Sequence, residues 1–131
     1  MKTYGLIGYP VKHSLSARMH NAAFKELKIE ARYRLFEVAP EDLEDFLARD
    51  KKIKDKEGNS FSVEDLSGFN ITIPHKVKAR EILEKEFPPD ADKNQSNAAY
   101  YVQLSGAVNT VKREGKKLLY FNTDAAGFLR S

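Results

Sequence analysis

Apolar and polar positions along the first fifty residues switch between two periods, and each switch marks an element. Tyr4 to Gly8 is a short apolar run closed by Tyr9-Pro10, which predicts a strand ended by a turn. From Ser14 the spacing becomes helical: Leu15, Met19, Ala22, Ala23 and Leu27 recur at three- and four-residue intervals, with Ser14 or Ser16 available as N-cap. Ala31 to Val38 alternates through Tyr33 and Leu35 as a second strand, and Pro40 then opens an acidic-ended helix, Glu41 to Arg49. Residues 50–66 show no period and contain Gly58-Asn59-Ser60, so they predict a long surface loop with one helical turn near Val63 to Leu66.

Order resumes at Gly68. Phe69, Ile71 and Ile73 alternate with Asn70 and Thr72 in a third strand, Pro74 starts a helix carrying Val77, Ala79, Ile82 and Leu83, and Pro88-Pro89 breaks it. Residues 91–104 predict a further helix, because Ala91, Ala98, Ala99 and Val102 can share a face. Ala107 to Arg113 and Leu118 to Asn122 flank Glu114-Gly115-Lys116-Lys117 as a hairpin, and Asp124 begins a last helix. Strands alternating with helices and closing on a hairpin predict one α/β domain over residues 1–131. Its sheet is expected to be open and mixed, mostly parallel, flanked by helices, with an antiparallel hairpin near the C-terminus.

Composition narrows the function. Net charge is only +3, from 22 basic and 19 acidic residues, and the densest run, Arg49 to Glu57, mixes both signs without aromatics, so nucleic acid is not an expected partner. With no cysteine there is no disulfide and no thiolate metal site, which suits a reducing compartment, and the cytoplasm is the expected location. No apolar run is long enough for a membrane span. His13, His20 and His75 have no metal-ligand spacing, so no metal is expected.

In an open α/β sheet the ligand crevice lies outside the carboxyl ends of the strands. That rule selects the loop from Tyr9 to Ser16, the loop from Thr72 to Lys76, and Asn122-Thr123-Asp124. The glycines of the first loop, Gly5-Leu6-Ile7-Gly8-Tyr9-Pro10, do not form G-x-G-x-x-G, and Pro10 has no N–H for a pyrophosphate, so a nucleotide is not expected there. Ser14 and Ser16 can meet a carboxylate or a polyol, or simply cap a helix. Lys76 stands in a first helical turn, where the dipole disfavours a cation, and Asp124 stands where a cap is common. Taken singly, each has an ordinary structural reading.

Taken together, the segments resemble the shikimate dehydrogenase family across most of the chain and in order. Gly8-Tyr9-Pro10-Val11-Lys12-His13-Ser14-Leu15-Ser16, continued by Met19-His20-Asn21-Ala22-Ala23-Phe24, resembles the family's opening signature. Gly68-Phe69-Asn70-Ile71-Thr72-Ile73-Pro74-His75-Lys76 resembles its lysine motif, Gly106-Ala107-Val108-Asn109-Thr110-Val111 its third block, and Asn122-Thr123-Asp124-Ala125-Ala126-Gly127-Phe128 its aspartate motif. Ala125 departs from the family's usual glycine, and residues 50–66 and the stretch between Lys76 and Gly106 are extended.

The resemblance implies the reversible reduction of 3-dehydroshikimate to shikimate with NADPH, in aromatic amino-acid biosynthesis. It assigns Ser14 and Ser16 to the shikimate carboxylate, Thr72, Asn109 and Thr123 to ring hydroxyls, and Lys76 and Asp124 to the catalytic pair. A lysine ammonium held by a carboxylate can give a proton to the carbonyl oxygen and act as base in reverse. The family's NADP-binding Rossmann domain is absent from these residues, so the implied fragment binds no cofactor itself and is expected to be inactive alone. A missing nucleotide-binding domain is thus the implied partner, and a homodimer stays open. Two alternatives also stay open: a stand-alone binding module for a polyhydroxy carboxylate, and a quinate-specific enzyme.

Overall fold

The computed structural model describes residues 1–88 and 108–122. The helices expected over 91–104 and from Asp124 lie outside the described residues. Within them, β1 (Lys2–Gly8) is the hub, pairing in parallel with β2 (Ala31–Glu37) on one side and β5 (Gly68–Ile71) on the other. β5 pairs antiparallel with β6 (Thr110–Glu114), and β6 pairs antiparallel with β7 (Lys117–Phe121), giving the order β2-β1-β5-β6-β7. The expected mixed α/β sheet forms with the hairpin at its far edge, but it is not mostly parallel: two pairings are parallel and two antiparallel, because β6 joins β5 antiparallel and brings the hairpin into the same sheet. Gly115, at φ +63, makes the hairpin's turn with Lys116, a backbone conformation that favours glycine.

Most of the core lies on one face of this sheet. Ile7, Phe36, Phe69, Ile71 and Val111 point there and meet Leu43, Phe46 and Leu47 of α2 (Leu43–Arg49) and Ala79, Ile82 and Leu83 of α3 (Lys76–Glu86). Each such large side chain, fully buried, contributes about 1.5–3 kcal/mol relative to exposure. Phe46 and Phe69 meet edge to face at 5.9 Å. Pro40 opens a 3-10 turn, Pro40–Asp42, before α2 begins, and α3 begins at Lys76, two residues after Pro74. Tyr120 donates its hydroxyl to the Phe87 carbonyl and ties the end of α3 to β7; burial pushes its pKa up to about 12.

The other face is thinner. Tyr4, Leu6, Tyr33 and Leu35 lie under α1 (Ser16–Glu26), met by Ala17 and Phe24. The apolar stripe that the sequence selects on α1 is not the side that packs on the strands: Leu15 and Met19 are 65% and 70% exposed, and Leu27 is exposed too. The packing side holds Ala17, His20, Asn21 and Phe24, at the same helical spacing. His20 stacks on Tyr33 with centroids 4.2 Å apart, Phe24 meets Tyr4, and the Asn21 amide both accepts from Tyr33 N–H and donates to Tyr33 C=O. Periodicity finds an apolar face without showing what it faces, and here side-chain hydrogen bonds and ring stacking hold the helix instead.

Residues 50–66 also differ from the expected loop. Ile53–Lys54 (β3) and Ser60–Phe61 (β4) form a small antiparallel ribbon, followed by a 3-10 turn, Val63–Asp65, closed by a Ser62/Asp65 capping box. Ile53, Val63 and Leu66 are buried in the main core. Strands of two residues are too short to register as alternation. The turn is built on Asp55, whose carboxylate accepts the N–H groups of Glu57 and Asn59 and pairs with Arg34 of β2 at 2.5 Å. Lys56 N–H donates to Leu35 C=O, so this segment covers the outer edge of β2, which would otherwise be open to pairing with another chain.

Burial alone would raise the Asp55 pKa, but the Asn59 N–H groups and the Arg34 guanidinium outweigh it and lower the pKa below its ordinary 3.8. The stabilisation is therefore complete above that ordinary value and is lost as pH falls through the lowered one. Asp55→Ala leaves a largely buried guanidinium without its carboxylate. It should cost about 3 kcal/mol, read by urea denaturation at neutral pH, with the difference from the parent chain shrinking in strong acid.

Candidate functional site

The carboxyl ends of β1, β2 and β5 lie at one edge of the sheet, together with the start of β6 and the end of β7. Short bonds stitch the loops there. Val38 N–H donates to Gly8 C=O, Tyr9 N–H to Ile73 C=O, and Thr72 N–H to Ile7 C=O. His75 is buried, and because its partner is the Val38 carbonyl, its Nε2 must carry a proton and donate. The Tyr9–Pro10 and Ile73–Pro74 peptide bonds are both cis.

Gly8 sets the spacing of the two main loops. A Cβ there would collide with the Thr72 methyl and stand 2.6 Å from Val11 Cγ1 and 3.1 Å from Ile73 C=O. Thr72 can therefore sit against the end of β1 only because position 8 has no side chain.

Ser14 and Ser16 occupy the loop that follows. Ser14 N–H donates to Val11 C=O, its hydroxyl oxygen accepts from Ser16 N–H at 3.2 Å, and it donates to Ser16 Oγ at 3.1 Å. Helix α1 begins at Ser16 with Leu15 at the cap position, so neither serine is its N-cap. The hydroxyls form instead a joined pair of donors and acceptors at the mouth of the helix, where free N–H groups favour an anion. The loop is held from below by Glu37, whose carboxylate accepts Val11 N–H at 3.1 Å and Lys12 N–H at 3.2 Å. Partial burial raises the Glu37 pKa, but those two N–H groups and the Lys12 ammonium outweigh it, and the net direction is down.

Lys76 is the first residue of α3 and is half-buried; its carbonyl accepts Val108 N–H. Asn109, buried, follows directly and accepts Ile71 N–H on its carbonyl while donating its own N–H to Phe121. Thr72, Lys76 and Asn109 are thus brought together by the backbone of three elements, at the edge where Ser14 and Ser16 lie. Thr123 and Asp124 lie outside the described residues. Sequence reasoning missed Glu37, Tyr33 and Asn70, whose roles depend on partners far along the chain.

An open cavity of about 390 Å³ lies beside this edge, between the Lys12–Leu15 loop, the first turn of α1, β2 and the Asp55–Glu57 turn. Its cations are largely answered: Lys12 by Glu37, Arg32 by Glu57 and Arg34 by Asp55. It includes Ser14 but not Thr72, Lys76 or Asn109, so the convergence of polar groups, and not this hollow, marks the better site. Among the described residues no three of His, Cys, Asp and Glu come together to hold a metal, and no helix is long and apolar enough to cross a membrane.

A mixed α/β sheet with hydroxyls, an amide and a lysine gathered at the carboxyl ends of its parallel strands defines a small-molecule binding domain. Comparison with known proteins makes the class specific. The family model described as the shikimate dehydrogenase substrate binding domain matches residues 6–111. The NADP(+) shikimate dehydrogenase of Bacillus licheniformis is 41% identical over 128 residues, which cover 98% of this chain and 38% of that protein. That of Methanococcus maripaludis is 43% identical over 126 residues, covering 96% and 37%. Among solved structures, Thermus thermophilus shikimate 5-dehydrogenase in complex with NADP(H) and shikimate superposes with a TM-score of 0.66 at 30% identity, over 99% of this chain and 41% of that one. The chain belongs to the shikimate dehydrogenase family and matches its substrate-binding domain. It spans a little over a third of the length of these relatives.

Gly8→Ala should destabilise the domain by about 1–3 kcal/mol in denaturant unfolding, because Thr72, Val11 or the backbone has to move. Ligand binding should fall with it, and unchanged stability would show that the two loops are not in contact through this position.

Proposed function

We propose that this chain is the substrate-binding and acid–base half of an NADP-dependent shikimate dehydrogenase that interconverts 3-dehydroshikimate and shikimate. The observation that carries the reading is the gathering of Ser14, Ser16, Thr72, Lys76 and Asn109 at one sheet edge in a chain of this family. In this reading the Ser14–Ser16 hydroxyls bind the substrate carboxylate, aided by the N–H groups of the helix mouth. Thr72 and Asn109, with Thr123, hold the ring hydroxyls. Lys76 gives a proton to the carbonyl oxygen as it becomes an alcohol and takes it back in reverse, with Asp124 as its carboxylate partner.

The loop after β1 does not fit the nucleotide. It lacks the glycine-rich pattern, Pro10 offers no N–H, and the N–H groups of Val11 and Lys12 are already turned to the Glu37 carboxylate, an anion that a pyrophosphate would have to face. We assign NADP(H) to a separate nucleotide-binding domain of a longer protein, as the greater length of the relatives suggests, and the cytoplasm as the compartment.

Isothermal titration of the chain with shikimate should show binding that Ser14→Ala/Ser16→Ala abolishes, with quinate taken up less tightly. Absence of heat at about millimolar ligand, a ceiling set by the affinity scale for weak complexes, would count against a preformed site. In the protein carrying its nucleotide-binding domain, Lys76→Ala should lower kcat by about 10²–10⁴-fold while leaving shikimate binding mostly intact. Turnover like that of the unsubstituted enzyme would remove Lys76 from the chemistry.

A further inference from the structure

The α1 face of the sheet carries a row of polar side chains where apolar ones would be ordinary. Asn70 and Thr110 are register partners on β5 and β6, and Leu6 of β1 is paired with Asn70. The Tyr33 hydroxyl reaches from β2 across β1 and donates to Asn70 Oδ1 at 2.8 Å. Asn70 Nδ2 donates to Thr110 Oγ1 at 3.3 Å, and the Thr110 hydroxyl donates to Asn109 Oδ1 at 3.0 Å. Four side chains from three strands and the residue before β6 therefore form one continuous line of hydrogen bonds ending at a residue of the proposed site.

The line has only one good direction. An amide oxygen can only accept and an amide nitrogen only donate, whereas a hydroxyl does one of each here. Turning the Asn70 amide over would make Thr110 spend its proton on Asn70 and leave none for Asn109. It would also leave the Tyr33 hydroxyl proton without an acceptor among the described residues, in a buried position where a lost bond is costly. Tyr33 is itself held fast, by the Asn21 amide on its backbone and by His20 stacked on its ring. Burial raises its pKa well above the usual tyrosine range, so the hydroxyl keeps its proton at any physiological pH.

We propose that Tyr33, acting through Asn70 and Thr110, is a positioning residue that fixes which way the Asn109 amide faces. Its oxygen is turned to Thr110, which puts its two amide N–H groups on the opposite side, and one of them donates to the ligand. Building on the function proposed above, a shikimate hydroxyl at Asn109 must accept a hydrogen bond there. The polar row is thus explained as a device for orienting one amide, set by a tyrosine that touches no substrate.

Isothermal titration with shikimate and nitrogen NMR of the side-chain amides test this on the whole chain. Tyr33→Phe keeps the stacked ring and removes only the terminal donor; it should weaken shikimate about five- to tenfold, the loss of one oriented hydrogen bond. Thr110→Val should do the same and Thr110→Ser should restore binding. The Tyr33→Phe/Thr110→Val pair should be no worse than the poorer single variant, since both break one line. In the ligand-free chain, Tyr33→Phe should also shift the Asn109 NH2 signals across the two intervening side chains. An Asn109 signal that does not move, or binding within about twofold of the parent chain, a difference too small for a lost hydrogen bond, would overturn the proposal. If the parent chain takes up no shikimate, the proposed function fails and the amide signals alone decide the positioning role.

Discussion

The site depends on how closely the ends of β1 and β5 can approach, and Gly8 decides that distance. The backbone hydrogen bonds on either side of it, from Thr72 to Ile7 and from Tyr9 to Ile73, require the two loops to run side by side. Only a residue without a Cβ leaves room for the Thr72 methyl between them. From this contact the other parts follow. Val11 packs on the same spot, Glu37 of the neighbouring strand holds the N–H groups of Val11 and Lys12, and Ser14 folds back onto Val11. The position of the serine pair is thus transmitted from the sheet by a few short bonds.

The two faces of the sheet have different work. One is an apolar layer, with Phe36, Phe46, Phe69 and Leu83 filling the space between strands and the helices α2 and α3. It supplies stability and a rigid base for Lys76, whose helix it buries. The opposite face is held by polar contacts of exact partner chemistry, Asn21 on the Tyr33 backbone and the line from Tyr33 to Asn109. Such networks contribute little net stability when satisfied, yet they reject alternative arrangements because any broken member is costly in a buried place. A binding domain gains from that division: strength from one layer and orientation from the other.

Much of this was legible in the chain. Alternation and helical spacing locate β1, α1, β2, α2 and the terminal hairpin, and the rule that ligands lie beyond the carboxyl ends of strands selects the loops holding Ser14, Ser16, Thr72 and Lys76. The ribbon at Ile53 to Phe61 was not legible, because two-residue strands carry no period and the pairing of Asp55 with Arg34 spans 21 residues. Nor was the packing side of α1, which is chosen by His20 and Asn21 meeting Tyr33 and not by its apolar stripe. Tyr33, Asn70 and Thr110 were invisible as a unit for the same reason: a hydrogen bond across 37 or 40 residues leaves no local pattern. Sequence period reports burial, whereas these partners are chosen by geometry.

The central claim is that ligand is bound at the edge where β1, β5 and β6 meet, and it is tested most directly by following backbone amide signals while shikimate is added to the chain. The account predicts that Ser14, Ser16, Thr72, Lys76 and Asn109 move together along one saturation curve, with the Asp55–Glu57 turn unmoved. Shifts centred instead on Arg18, Arg32 and Lys56, around the hollow beside β2, would contradict it.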